Sequence, residues 1–325
     1  MESEINIFAG TSGIPFADKM CSYLGVERGK TEVIRFSEGN TYVKIGERVR
    51  SREIYLVQPI GLCSNDDFVE LLFWLDAFKR AGADYVTVII PYFSYAKGDK
   101  KDEPRVSIRA RVCAECIELE GADRVITMDL HAPQIQGFFK KPVDHLFARP
   151  VIINYLKTIL PDNAVIVSPD SGNAKVARKY ADELNLPVAI GDKTRCGNDE
   201  NAEILEIIGN VAGKNAIIVD DFSISGGTVV NLAAELKKRG AKDIIACFSH
   251  IPLSRKGVDA IENSCIQTVV STDSLYNPNT VNMKKLKIVS VAPMFAEAVR
   301  RMQMRESIND LFDDTSSWLS RGLFQ

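Results

Sequence analysis

Three stretches of this chain repeat one plan, and that plan limits the fold more than any other feature. Residues 82–91, 121–131 and 240–250 each begin Gly-Ala, follow a helical pattern and then enter an apolar strand. A glycine closing a helical pattern is a C-cap. Helix–Gly–strand units in series build parallel sheets covered by helices, since parallel neighbours need a crossover between them. Further strands are predicted at 5–9, 32–36, 54–57, 164–167, 188–190 and 288–291. At 325 residues the chain is long for one core and suits two domains. The predicted fold is α/β, with two similar parallel-sheet halves related by internal duplication. The halves meet near 147–150, giving domains of 1–148 and 149–303, and the 304–325 tail is helical at first.

The segment 215–228 carries the strongest chemical signal. An apolar, β-branched run at 216–219 reads as a buried strand. Asp220 and Asp221 follow where that strand ends, and Ser225-Gly226-Gly227-Thr228 leads into a helical pattern at 229–239. Ligands of open α/β sheets bind at the carboxyl ends of strands. A glycine-rich loop opening a helix offers backbone N–H groups and the helix dipole to an anion. Neighbouring carboxylates can accept hydrogen bonds from vicinal hydroxyls, so the pair and the loop together suggest a sugar phosphate. The same Gly-Gly with Ser and Thr is also ordinary turn-and-cap chemistry.

In its motifs the chain resembles the ribose-phosphate diphosphokinase family, of the type I phosphoribosyltransferase fold. Val219-Asp220-Asp221 with Ser225-Gly226-Gly227-Thr228 is similar to that fold's phosphoribosyl diphosphate loop. The blocks at 91–100, 128–139 and 167–172 match the family in order and spacing, and the resemblance spans about Ile7 to Phe312. It implies transfer of the β,γ-diphosphoryl group of ATP to the C1 hydroxyl of ribose 5-phosphate, with AMP leaving. Such a reaction belongs to nucleotide biosynthesis and requires Mg²⁺.

The resemblance assigns ATP binding to Phe36, Glu38, Gly39, Asn40, Lys97, Gly98, Asp99, Lys100 and His131. It assigns the sugar phosphate to Asp220, Asp221, Ile224, Ser225, Gly226, Gly227 and Thr228. His131 and Asp170 are the implied metal ligands; Lys193 and Arg195 are implied to close over the transferring diphosphate. It also implies that the tail from 304 returns to the first domain. The implied partners are ATP, ribose 5-phosphate and further copies of the chain, in a hexamer, with Arg105 and Ser107 near subunit contacts.

Read without the resemblance, several of these residues have plainer roles. His131 is a cap or a core histidine, Phe36 is core packing, and 97–101 is a solvated charged loop. The stretch 191–200 is polar, carries glycine and lacks periodicity, so it reads as a mobile loop. Departures from the family pattern fall at Ile224 and Ser225, where the family has Asp and Thr, and at Lys97-Gly98, where it has Arg-Gln. Asn40 replaces Glu and Asn173 replaces Gly. Ile224 removes a carboxylate from the sugar-phosphate loop. It leaves two alternatives open: a diphosphokinase acting on another ribose 5-phosphate derivative, such as ADP-ribose, and a non-catalytic regulatory paralogue.

Composition narrows the classes further. Net charge is −3, which lacks the basic footprint of a nucleic-acid binder. No apolar run approaches the ~20 residues of a membrane span and no signal peptide is evident, so a cytoplasmic enzyme is expected. Seven cysteines without a secretion signal favour reduced thiols. Cys113 and Cys116 have redox spacing but lie inside a helical pattern, where packing is the expectation.

Overall fold

The computed structural model describes residues 4–195, 203–309 and 311. Contacts divide the chain into two compact units. The first contains 1–148, 273–276 and 290–325, and the second 149–272 and 277–289.

In the first unit the order is β1 (Asn6–Ala9), α1 (Ile14–Leu24), β2 (Thr31–Arg35), β3 (Thr41–Ile45), β4 (Glu53–Val57), α2 (Ser64–Arg80), β5 (Tyr85–Ile90), α3 (Arg109–Leu119), β6 (Arg124–Met128) and β7 (Val143–Leu146). The sheet runs β1-β4-β5-β6-β7, and every neighbouring pair is parallel. Its central strands are nearly continuous apolar runs, as parallel strands covered on both faces must be. Phe8, Leu56, Trp74, Phe78, Val88 and Ile117 form the centre of one core cluster. Phe8 and Phe78 meet edge to face at 5.0 Å.

The second unit contains α4 (Arg149–Ile159), β8 (Ala164–Ser168), α5 (Ala174–Leu184), β9 (Val188–Arg195), β10 (Glu203–Ile208), β11 (Asn215–Phe222), α6 (Gly227–Lys238), β12 (Ile244–His250), α7 (Arg255–Glu262), β13 (Thr268–Thr272) and β14 (Leu286–Val289). Its sheet runs β10-β9-β8-β11-β12-β13-β14, parallel throughout except between β9 and β10. Val165, Ile218, Leu232, Leu236, Phe248 and Val269 build its core.

The duplication is visible in the element order. From β1 in the first unit, and from β8 after α4 in the second, the order is strand, helix, antiparallel hairpin, strand, helix, strand, helix and two strands. Gly82, Gly121 and Gly240 all take positive φ (82°, 113° and 85°) at the helix ends where the repeat places them.

The hairpin is where the copies diverge. In the second unit β9 stays beside β8 in the sheet. In the first, β2 and β3 form a separate two-stranded sheet. A parallel bridge from Ile7 to Arg28 is the ladder contact that this segment makes with β1. The predicted strand at 32–36 is therefore half of a hairpin and not a member of a parallel sheet; its partner β3 is a strand that the sequence pattern does not announce.

Two more expectations need correction. The polar stretch expected to form a loop from 191 is strand as far as Arg195. Gly191 pairs with Ile207 and Arg195 with Glu203, so an apolar partner strand supplies a ladder that the polar segment does not announce. Residues 196–200 of that predicted loop lie outside the described residues. The return to the first unit begins at Ser290, not at 304. Helix α8 (Ala292–Gln303), expected in the second domain, packs on α1, with Phe295 edge to face on Phe16 at 5.3 Å. Residues 292–299 of α8 are all buried, and only contact shows which core such a helix completes. Residues 312–325 of the predicted tail lie outside the described residues.

Among the described residues no helix is long and apolar enough to cross a membrane. Cys113 and Cys116 are free thiols on α3. Burial pushes the Cys113 thiol up to about 12, as suits a packing residue.

Candidate active site

The carboxyl end of β11 places Asp220 and Asp221 half-buried at the point where the strand leaves the core. Asp221 donates its N–H to Asp220 Oδ1 and Phe222 its N–H to Asp221 Oδ1, both at 2.9 Å. Loss of hydration pushes the Asp220 carboxyl up to about 8, helped by the charges of Asp221 and Asp170. This site holds more negative charge than its surroundings solvate, so the Asp220 carboxyl keeps its proton to higher pH than an ordinary carboxylate.

The loop after β11 turns sharply into α6. Gly226 is the N-cap, with φ 72°, and no side chain caps the helix. A β-carbon at 226 would lie 3.0 Å from the Gly257 carbonyl oxygen, so both the left-handed backbone and the space require glycine. A β-carbon at Gly227 would meet nothing nearer than Ser225 Oγ at 3.6 Å; that face is open. The first-turn N–H groups of a helix lack intrahelical partners; here the N-cap glycine supplies no side chain, and Ser225 Oγ accepts the Gly227 N–H in a long bond of 3.4 Å. Ser225 and Thr228 are exposed beside them. The arrangement is a glycine-capped anion cradle next to a charge-crowded carboxylate pair.

Ile224 is 41% exposed, while its carbonyl accepts the Ser254 N–H at 2.9 Å. The backbone is tied down and the apolar side chain faces solvent.

Strand β8 lies next to β11 and delivers Asp170 to the same end of the sheet. Ser168 Oγ donates to the Asp170 carbonyl (2.6 Å), and Asp170 Oδ1 accepts the Asn173 N–H (2.9 Å). Asn173 Nδ2 donates to the Val219 carbonyl at 2.7 Å. The asparagine that looked like a simple departure therefore ties the β8 turn to β11. Lys193 and Arg195 sit on the paired backbone of β9, opposite residues 205 and 203 of β10.

In the first unit, Phe36, Glu38, Gly39 and Asn40 form the exposed tip of the β2–β3 hairpin. The Phe36 N–H bonds the Asn40 carbonyl and the Gly39 N–H the Phe36 carbonyl, both at 2.9 Å. Gly39 has φ 90°, and Asn40 Oδ1 accepts the Thr41 N–H. Phe36 is 45% exposed, so the core-packing reading fails and a bare aromatic face remains. Arg35 secures the hairpin to α2 through Asp66 (3.6 Å) and the buried Glu70 (3.7 Å).

After β5 the chain makes a 3-10 turn, Ser94–Gly98. Lys97 is half-buried and Gly98 buried, followed by half-buried Asp99 and exposed Lys100. The charged run therefore begins in a folded turn at the sheet's carboxyl end and becomes solvated only at Lys100 and Lys101. His131 is exposed just beyond β6. Asp129, before it, adopts φ 39°, an unusual conformation for a non-glycine residue. Its Oδ2 accepts the Ala148 N–H (2.9 Å), and Leu130 donates its N–H to His145 Nε2 (2.9 Å). His145, buried on β7, thus shapes the segment bearing His131. No motif in the sequence marked it, because its role depends on register between neighbouring strands.

Among the described residues no three His, Cys, Asp or Glu side chains converge to hold a metal. The oxygen donors present suit a hard cation nonetheless. Mg²⁺ keeps several waters and is bound through one or two carboxylates plus substrate phosphates. Exposed Asp170, beside the charge-crowded Asp220 pair, fits that description.

Comparison with known proteins identifies relatives of the whole chain. Residues 5–121 match the N-terminal domain of ribose phosphate pyrophosphokinase, and 198–313 match the phosphoribosyl synthetase-associated domain. The chain is 42% identical to a ribose-phosphate pyrophosphokinase of Clostridium acetobutylicum, over 95% of this chain and 98% of that one. It is 44% identical to one of Helicobacter hepaticus, over 94% and 98%. Its fold is similar to the crystal structure of phosphoribosylpyrophosphate synthetase from Mycobacterium smegmatis, with a TM-score of 0.87 and 34% identity, covering 93% of this chain and all of that one. With relatives this similar over nearly its whole length, the chain belongs to the ribose-phosphate pyrophosphokinase family.

Proposed function

We propose that this protein transfers the diphosphoryl group of ATP to ribose 5-phosphate. The C1 hydroxyl attacks the β-phosphorus, the bond from that phosphorus to the α-phosphate oxygen breaks, and AMP leaves. The hydroxyl proton passes to solvent. The observation that carries this reading is the pairing of Asp220–Asp221 with the glycine-capped start of α6. Together they offer acceptors for two ribose hydroxyls and backbone donors for a 5-phosphate.

In this reading Ser225, Gly226, Gly227 and Thr228 bind the 5-phosphate, with Ile224 at the rim. Phe36 stacks on adenine, and Glu38, Gly39 and Asn40 shape that turn. Lys97, Gly98, Asp99, Lys100 and His131 hold the triphosphate. Lys193 and Arg195 stabilise charge on the transferring group, and chemistry of this kind depends on such positioned cations. Mg²⁺, held near His131 and Asp170, would neutralise the phosphates when bound. The family resemblance further supports a cytoplasmic homo-oligomer, with a hexamer as the form to test.

The test is AMP release from Mg-ATP and ribose 5-phosphate by the purified protein, with ADP-ribose run in parallel. Phosphoribosyl diphosphate formed from the free sugar phosphate supports the reading. No AMP with either acceptor refutes it, and turnover of ADP-ribose alone would replace the acceptor.

A further inference from the structure

Arg109 is the first residue of α3 and is exposed. The first turn of α3 carries no acidic residue, and Ile108 at its N-cap supplies no side-chain bond. A cation at the positive end of a helix is electrostatically disfavoured. On the same helix Arg111 bonds Glu115 at 2.7 Å, and Arg124 on β6 bonds Asp144 at 2.6 Å; Arg48, Arg50 and Arg105, like Arg109, have no ion pair among the described residues. Among the described residues the Arg109 side chain makes no ion pair or hydrogen bond.

Its position is nevertheless well defined. A β-carbon built on Gly98 would lie 2.7 Å from Arg109 Nε, 2.9 Å from its Cβ and 3.4 Å from its Cζ. Arg109 therefore lies where a side chain at 98 would start, directly on the turn that carries Lys97, Asp99 and Lys100. Glycine at 98 makes room for it.

We infer that Arg109 is a further phosphate-binding residue of the nucleotide site, admitted to the Lys97–Lys100 turn by the absence of a side chain at Gly98. This rests on the proposed binding of ATP at that turn. A guanidinium offers a planar donor fork to two phosphate oxygens, a geometry that lysine cannot copy.

The test measures binding of Mg-ATP, inorganic tripolyphosphate and adenosine to the full chain by calorimetry, alongside kcat and KM for both substrates. Arg109→Ala should weaken ATP and tripolyphosphate by about tenfold to a hundredfold, leaving adenosine and the KM for ribose 5-phosphate unchanged. Arg109→Lys should recover part of the loss. Gly98→Ala should displace the guanidinium and produce the same defect. Combined with Arg109→Ala it should add little, because both changes remove one contact. Circular dichroism separates a folding failure from a binding defect, and Arg109→Lys stands in should Arg109→Ala misfold. Wild-type affinity for tripolyphosphate in Arg109→Ala overturns the inference while leaving the nucleotide site intact. Wild-type protein that binds neither ATP nor tripolyphosphate overturns both.

Discussion

Asp220→Asn should stabilise the second unit while removing function, and its effect should depend on pH in a definite direction. The carboxyl is raised from its ordinary 3.8 to about 8, first by lost hydration and then by the charge of Asp221. Between those values the native state holds a proton that the unfolded chain has released. Stability therefore falls as pH rises through this window and levels off above about 8, since stability declines wherever the native state binds more protons. One proton sets a ceiling of about 1.4 kcal/mol per pH unit. Asp220 is half-buried and retains some contact with water, so a realistic loss between pH 5 and 7.5 is about 1–2 kcal/mol in total. Asparagine keeps the shape and an oxygen to accept the Asp221 N–H, and it does not titrate. Denaturant unfolding of both proteins from pH 5 to 8.5 tests this. The second unit contains no tryptophan, whereas Trp74 lies in the core of the first. Far-UV circular dichroism should report the pH-dependent gap, and tryptophan fluorescence should not move with the variant. Parallel stability curves for variant and wild type across this range would show that no proton is held, and the charge-crowding account of the pair would fall.

Four further outcomes are expected. Lys193→Ala should lower kcat about a hundredfold or more with little change in ATP binding; steady-state kinetics with a separate ATP titration would expose an unchanged kcat. His131→Ala and Asp170→Ala should each shift the Mg²⁺ titration of activity at fixed ATP several-fold upward, and an unchanged curve for both would place the metal elsewhere. Gly226→Ala puts a β-carbon 3.0 Å from a backbone carbonyl in a left-handed residue, costing about 1–2 kcal/mol. It should raise the KM for ribose 5-phosphate, and a wild-type melting temperature and KM would contradict the cradle geometry. Ile224→Asp should raise kcat/KM for ribose 5-phosphate by about tenfold, through one added hydrogen bond; no change on that sugar or on ADP-ribose would mark Ile224 as neutral.

The sequence by itself determined the class of fold and the chemistry of one loop. Gly82, Gly121 and Gly240 announced the repeated unit because a helix end needing positive φ selects glycine locally. Asp220, Asp221 and the Gly226-Gly227 pair were legible for a similar reason: a strand end, a turn and a helix start lie within fourteen consecutive residues. Tertiary structure decided what depends on a distant partner. The polar run to Arg195 became strand because residues 203–208 pair with it, and β3 emerged only as the mate of β2. Helix α8 reads the same whichever unit it completes; packing of Phe295 on Phe16 assigns it to the first. Phe36 looked like core until the hairpin carried it away from the sheet. His145 and Arg109 stayed silent because their parts rest on register across β6 and β7 and on the space above Gly98. Local conformational preference is written in neighbouring residues, whereas pairing, burial and the meeting of remote charges arise only when the chain closes on itself.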